Sequence, residues 1–114
     1  MTNIERLKME ISDIQYIDSE LEMFLAECGL EAEDTYNPNG NINKKGILST
    51  TLAILEAIAN NPQLMKSYKT EDMTITRFAE NLQNRIDALE RKIRMMPSDD
   101  VEAEAGATFK MMFN

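Results

Sequence analysis

A chain of 114 residues is sized for one domain with a modest core and is too short for the scaffold of a large enzyme. A net charge of −8 argues against a surface that neutralises phosphates, and the absence of His beside a single Cys excludes an internal disulfide and a usual zinc site. Hydrophobic residues make up 43%, with nine Met, seven Phe and Tyr together and no Trp, which favours helices packed through flexible aliphatic side chains, plus a small β part.

No stretch approaches the roughly 18 apolar residues of a membrane span, and the N-terminus lacks the basic segment and apolar core of a signal peptide. A soluble protein made in the cytoplasm is therefore expected. Its charge is unevenly spread: residues 1–36 hold ten acids against two bases, and residues 77–96 hold five bases against three acids. This asymmetry is either a solvated acidic face or a complementary, salt-sensitive contact between neighbouring subunits.

Thr2 or Asn3 can cap a first helix. Thr2 and Glu5 have capping-box spacing, and Ile4, Leu7, Ile11 and Ile14 form a narrow apolar stripe. A second helix is expected to restart at Asp18 and Ser19, with Ser19 and Glu22 as another capping box. Leu21, Phe24, Leu25 and Cys28 share its apolar face, and Gly29 stops it. A DNA-reading pair of helices would need basic or amide groups on the exposed second helix, where this chain has Glu20, Glu22 and Glu27.

Residues 29–46 read as a long loop, with Asn37-Pro38-Asn39-Gly40 as its breaker cluster and Leu30, Tyr36 and Ile42 pinning it to the core. Lys44-Lys45-Gly46 lacks the spacing of a phosphate-binding loop, which leaves a helix start with exposed lysines. Residues 47–60 are apolar nearly all round: Ile47, Leu48, Leu52, Ile54, Leu55 and Ile58 leave little polar surface beyond Ser49 and Glu56. Such a helix is buried on several sides, so it is expected to be the core helix on which the first two helices and the last one pack, ending at Asn60-Asn61-Pro62.

Residues 63–76 change period. Leu64, Lys66 and Tyr68 alternate with Met65, Ser67 and Lys69, Lys69-Thr70-Glu71-Asp72 offers a polar turn, and Met73 to Thr76 return with strand formers. The expectation is a β-hairpin. Two strands alone are marginal, so Tyr68, Lys69, Glu71, Met73 and Ile75 become candidates for a partner interface. The last helix, residues 76–96, places Phe78, Leu82, Ile86, Leu89, Ile93 and Met96 in one arc and Glu80, Asp87, Glu90, Arg91 and Arg94 outside it. Thr76 is its expected cap and Pro97 its stop, and Asp87–Arg91 and Glu90–Arg94 are spaced to pair.

The domain thus spans residues 1–97, and residues 98–114 form a tail. Its acidic half has the composition of disorder, and its end, Phe109-Lys110-Met111-Met112-Phe113, either folds back or docks on a partner; Met95 and Met96 are also placed for an adaptable interface. Catalytic chemistry has few candidates. Cys28 lies on an apolar face with no His to activate it, and Glu20, Glu22, Glu27, Glu31 and Glu33 do not repeat in the pairs that a magnesium site uses. No Gly-rich cradle, nucleophile elbow or calcium loop is present. The chain is therefore expected to be no enzyme and to need no cofactor.

In order, two acidic short helices over residues 4–28, a loop, a buried helix carrying Leu55-Glu56-Ala57-Ile58-Ala59-Asn60, and the segment from Met65 to Thr76 lead into a long last helix. This arrangement resembles the head–tail connector, or neck adaptor, family of tailed bacteriophages and prophages. The resemblance implies a mainly α fold of about four helices with one hairpin. It further implies a virion protein that joins a ring, commonly of twelve copies, between portal and tail-side neck proteins, with DNA passing through unbound. That family often has a Gly in the hairpin turn, where this chain has Glu71-Asp72. The competing reading is a small acidic phage regulator or inhibitor that mimics DNA, or a magnesium-dependent nucleotide hydrolase.

Overall fold

A computed structural model describes residues 1–12, 14–68 and 73–96, without the side chains of Ser67 and Tyr68. The protein is mainly helical: α1 spans Asn3–Glu10, α2 Asp18–Glu27, α3 Asn41–Ala59, α4 Pro62–Tyr68 and α5 Ile75–Met95. The capping box expected for α1 is formed, with Thr2 Oγ1 accepting from the Glu5 N–H at 3.3 Å and the Thr2 N–H donating to Glu5 Oε1 at 2.8 Å. At α2 the expected box is absent. The helix begins one residue before Ser19, behind Ile17, which caps it with no side-chain hydrogen bond. Gly29 does end α2 as expected. At φ 81° it lets the Leu30 N–H reach the Leu25 carbonyl while its own N–H reaches Ala26, a left-handed termination that glycine adopts at little cost.

The expected hairpin over residues 63–76 is not what the chain forms. Asn61 Oδ1 accepts from the N–H groups of Gln63 and Leu64, and Pro62, with its fixed φ and missing N–H, opens α4 as a favoured first helical residue. Leu64 and Met65 then pack against the core, as one helical turn allows. Seven residues are too few for an alternating pattern to be told from a helical one. Thr74, not Thr76, caps α5, its Oγ1 accepting from the Arg77 N–H at 3.0 Å. Residues 69–72 and the tail at 98–114 lie outside the described residues. Among those described, the β structure is an isolated bridge between Thr2 and Thr35.

The loop after α2 is shorter than expected because α3 begins at Asn41 and takes Lys44, Lys45 and Gly46 into its first turns. Gly46 is needed there, since a Cβ on it would stand 2.9 Å from Leu30 Cδ1, and Leu30 anchors the loop to the core. Tyr36 is a second anchor. Ile42 is not, being 52% exposed. The loop is also tied to α1 through its backbone, with Asn3 N–H donating to Asp34, Ile4 to Ala32 and Tyr36 to Met1. The buried Asn3 side chain completes the seam. It donates to the Glu31 carbonyl at 2.8 Å and accepts from Asn43 at 2.9 Å, while Asn43 Oδ1 accepts the Asn37 N–H.

The α3 helix is the shared wall of the fold. Its Ile47, Leu48, Ile54, Leu55 and Ile58 are buried among Ile4, Leu7, Ile11 and Ile14, Leu21 and Leu25, and Leu82, Ile86 and Leu89. Thr50 and Thr51 are also buried, each hydroxyl donating to the carbonyl four residues earlier. Helices α1 and α2 pack on each other and on α3, and α4 and α5 do the same, but neither pair packs on the other. The described tie across them is a hydrogen bond from Arg85 Nη2 to the Glu10 carbonyl at 3.0 Å.

Candidate functional site

Helix α2 carries four acids and no base. Leu21 and Leu25 point into the core, so a turn of the helix leaves Glu20, Met23 and Glu27 facing out. Tyr16, just before the helix, lays its ring 5.7 Å from that of Phe24, the planes tilted by 60°. Tyr16, Met23 and Phe24 line a shallow depression of about 250 Å³, with Glu20 and Glu27 at its edge. Met23 is 64% exposed, and Ile17, beside Tyr16 in the chain, is 65% exposed. Apolar side chains this open, framed by carboxylates, form a surface that water solvates poorly and that another chain can cover.

The charge of this surface is largely uncompensated. Asp18 pairs with Lys8 at 2.9 Å, but Glu20, Glu22 and Glu27 make no ion pair among the described residues. Glu27 also stands in the last turn of α2, where the helix carbonyls already concentrate negative potential. By contrast, Arg6 is absorbed by the fold: burial works against its charge, yet the hydrogen bond that it donates to the Glu10 carboxylate at 2.8 Å, with that group's charge, outweighs this and raises its pKa. Its guanidinium lies 5.5 Å from the centre of the Tyr36 ring.

On the other flank of α3, α5 ends in a basic turn. Arg91, Lys92 and Arg94 are exposed around Met95, which is 77% exposed, whereas Met96 packs on the core. Neither expected pair of α5 forms: Asp87 accepts instead from Gln83 at 2.9 Å, and Glu90 and Arg94 do not meet. The basic turn is therefore free of ion pairs among the described residues.

The interface residues expected from sequence are not gathered into one patch. Met73 and Ile75 are half-buried at the entrance to α5, not displayed on a hairpin. The Tyr68 backbone closes α4, while its side chain and Lys69, Glu71, Phe109, Met111, Met112 and Phe113 lie outside the described residues. Tyr16 and Met23 were not singled out. Glu20, Met23, Phe24 and Glu27 fall on one helical face, but Phe24 reads as a core residue beside Leu21 and Leu25, and Tyr16 precedes the helix, where its periodicity does not reach.

Glu22, Glu31 and Glu33 border a second, more open depression of about 480 Å³ with Ala26, Gly29, Leu30 and Ala32. Among the described residues no three His, Cys, Asp or Glu side chains converge closely enough to hold a metal ion, and Cys28 is half-buried. No helix among them is long and apolar enough to cross a membrane. Comparison with protein-family models, with curated proteins and with solved structures finds no match for this chain.

Proposed function

We propose that this protein is a structural assembly subunit, a head–tail connector of a tailed-phage virion that builds a ring between portal and tail. One observation carries the reading: the surface has two unlike and complementary patches, an acidic aromatic depression on α2 and a basic, methionine-tipped end on α5, on flanks that do not pack together. Closed rings of identical subunits need such a pair, because each copy offers one patch to the neighbour before it and the other to the neighbour after it. An excess of acid also suits a passage for DNA, since like charge keeps phosphates from adhering.

Sedimentation velocity and negative-stain imaging test this directly. The full chain is expected to form rings as its concentration rises, alone or with portal and tail-side neck proteins. A monomer at every concentration, with and without those components, overturns the proposal. Turnover or binding heat on titrating magnesium and nucleotides would favour the hydrolase reading instead.

A further inference from the structure

We infer that the depression formed by Tyr16, Met23 and Phe24 receives the basic end of α5 from a second copy of this chain. The inference rests on the assembly role proposed above and names the contact through which copies join. Its first support is charge. Glu20 and Glu27 flank Met23, three residues before it and four after, and make no ion pair among the described residues; Arg91, Lys92 and Arg94 surround Met95 and make none among them either. Seven residues of helix separate the two glutamates by about 10 Å, a span that two arginines three residues apart can bridge with their long side chains.

The apolar centres match as well. Met95 is unbranched and polarisable, and a thioether over aromatic edges is a favourable contact, so it suits a floor made by Tyr16 and Phe24. A cation brought beside Glu27 would also offset the negative end of α2, which supplies no base of its own in that turn. The contact has to be intermolecular. Within one chain α2 and α5 stand on separate flanks of α3 and do not pack on each other. It joins two different patches, so it propagates head to tail and closes into a ring only where the turn per copy permits. A small, charge-framed contact of this kind is weak singly and sensitive to salt.

Two charge-reversed forms of the full chain test the inference by sedimentation velocity: Glu20→Lys with Glu27→Lys in the depression, and Arg91→Glu with Arg94→Glu at the tip. Each alone is expected to self-associate roughly tenfold more weakly or worse, and an equimolar mixture to recover association because both unlike pairs become complementary again. Met95→Ala, at a position that contributes nothing to the core, should weaken association with an unchanged melting temperature even if a reversed form folds poorly. If the reversed forms assemble as well as the unaltered chain, the contact is wrong and the assembly role stands. If the unaltered chain alone never associates, at low or high salt, the contact is again overturned, and incubation with portal and tail-side proteins decides the assembly role separately.

Discussion

Thr2 and Glu5 close the first turn of α1 upon each other, and the closure has a pH signature. The Thr2 backbone N–H donates to the Glu5 carboxylate and holds its pKa below the ordinary 4.5, with slight burial acting the other way and the Thr2 hydroxyl adding to the decrease. A carboxyl whose pKa is lower folded than unfolded stabilises the fold above the unfolded value, and that contribution disappears as pH falls through the folded value. A carbon-detected titration is expected to place Glu5 below its peptide reference, and Glu5→Gln to remove this component of the acid-side loss of stability. An unshifted Glu5 would mean that the box is open in solution. A second residue-scale test concerns Gly46, an entropic weak point in α3 that exists for the sake of Leu30. Gly46→Ala alone should lower stability, because the whole Leu30 isobutyl group must move. In a Leu30→Ala background the same change should stabilise by about 1 kcal/mol, the helix-propensity difference. Urea unfolding of the four forms measures this, and an effect of the same sign in both backgrounds would show that the crowding is unimportant.

Among the elements, α2 is the least conventionally begun. Ile17 sits at its N-cap with its carbonyl accepting from Glu20 and Leu21 but with a side chain that can satisfy no N–H group. Ile17→Asn is expected to stabilise the protein by about 1 kcal/mol in thermal or urea melts, and no gain would show that packing of Ile17 outweighs a cap. The same helix shows why some boundaries were legible and others were not. Where a cap is made by side chains of one short segment, as at Thr2 and Glu5, or a termination needs a positive φ, as at Gly29, the residue types announce the conformation. At Ser19 and Glu22 the spacing was right, but the helix had already begun behind Ile17. The apolar faces of α3 and α5 were readable because each helix is long enough to bury a repeating set, whereas α1 ends at Glu10 and keeps only Ile4 and Leu7 of its expected stripe, with Ile11 and Ile14 buried beyond its end. The hairpin expected over residues 63–76 gives way to α4 because Asn61 and Pro62, local helix initiators, outweigh the strand-like alternation that follows. Of the candidate site, the charge asymmetry was visible in sequence. The depression was not, since it depends on Tyr16 folding back onto Phe24 from outside the helix.

At the scale of the molecule, one helix lies at the centre of a single core that two helix pairs cover. α1 and α2 cover one part of α3, α4 and α5 another, and the pairs are linked across it by the Arg85–Glu10 hydrogen bond. Loss of either flank leaves α3 still half covered, so its amides should be the last to open. Native-state hydrogen exchange is expected to be slowest from Ile47 to Ile58, and equally slow exchange throughout α5 would contradict the shared-wall arrangement.

That arrangement bears on how a string of such copies would respond to being pulled. With the acidic depression on one flank and the basic tip on the other, a load passed from one junction to the next crosses α3, the helix on which both flanks pack. The subunit is then the stiff link, and the give in the chain resides in the joints.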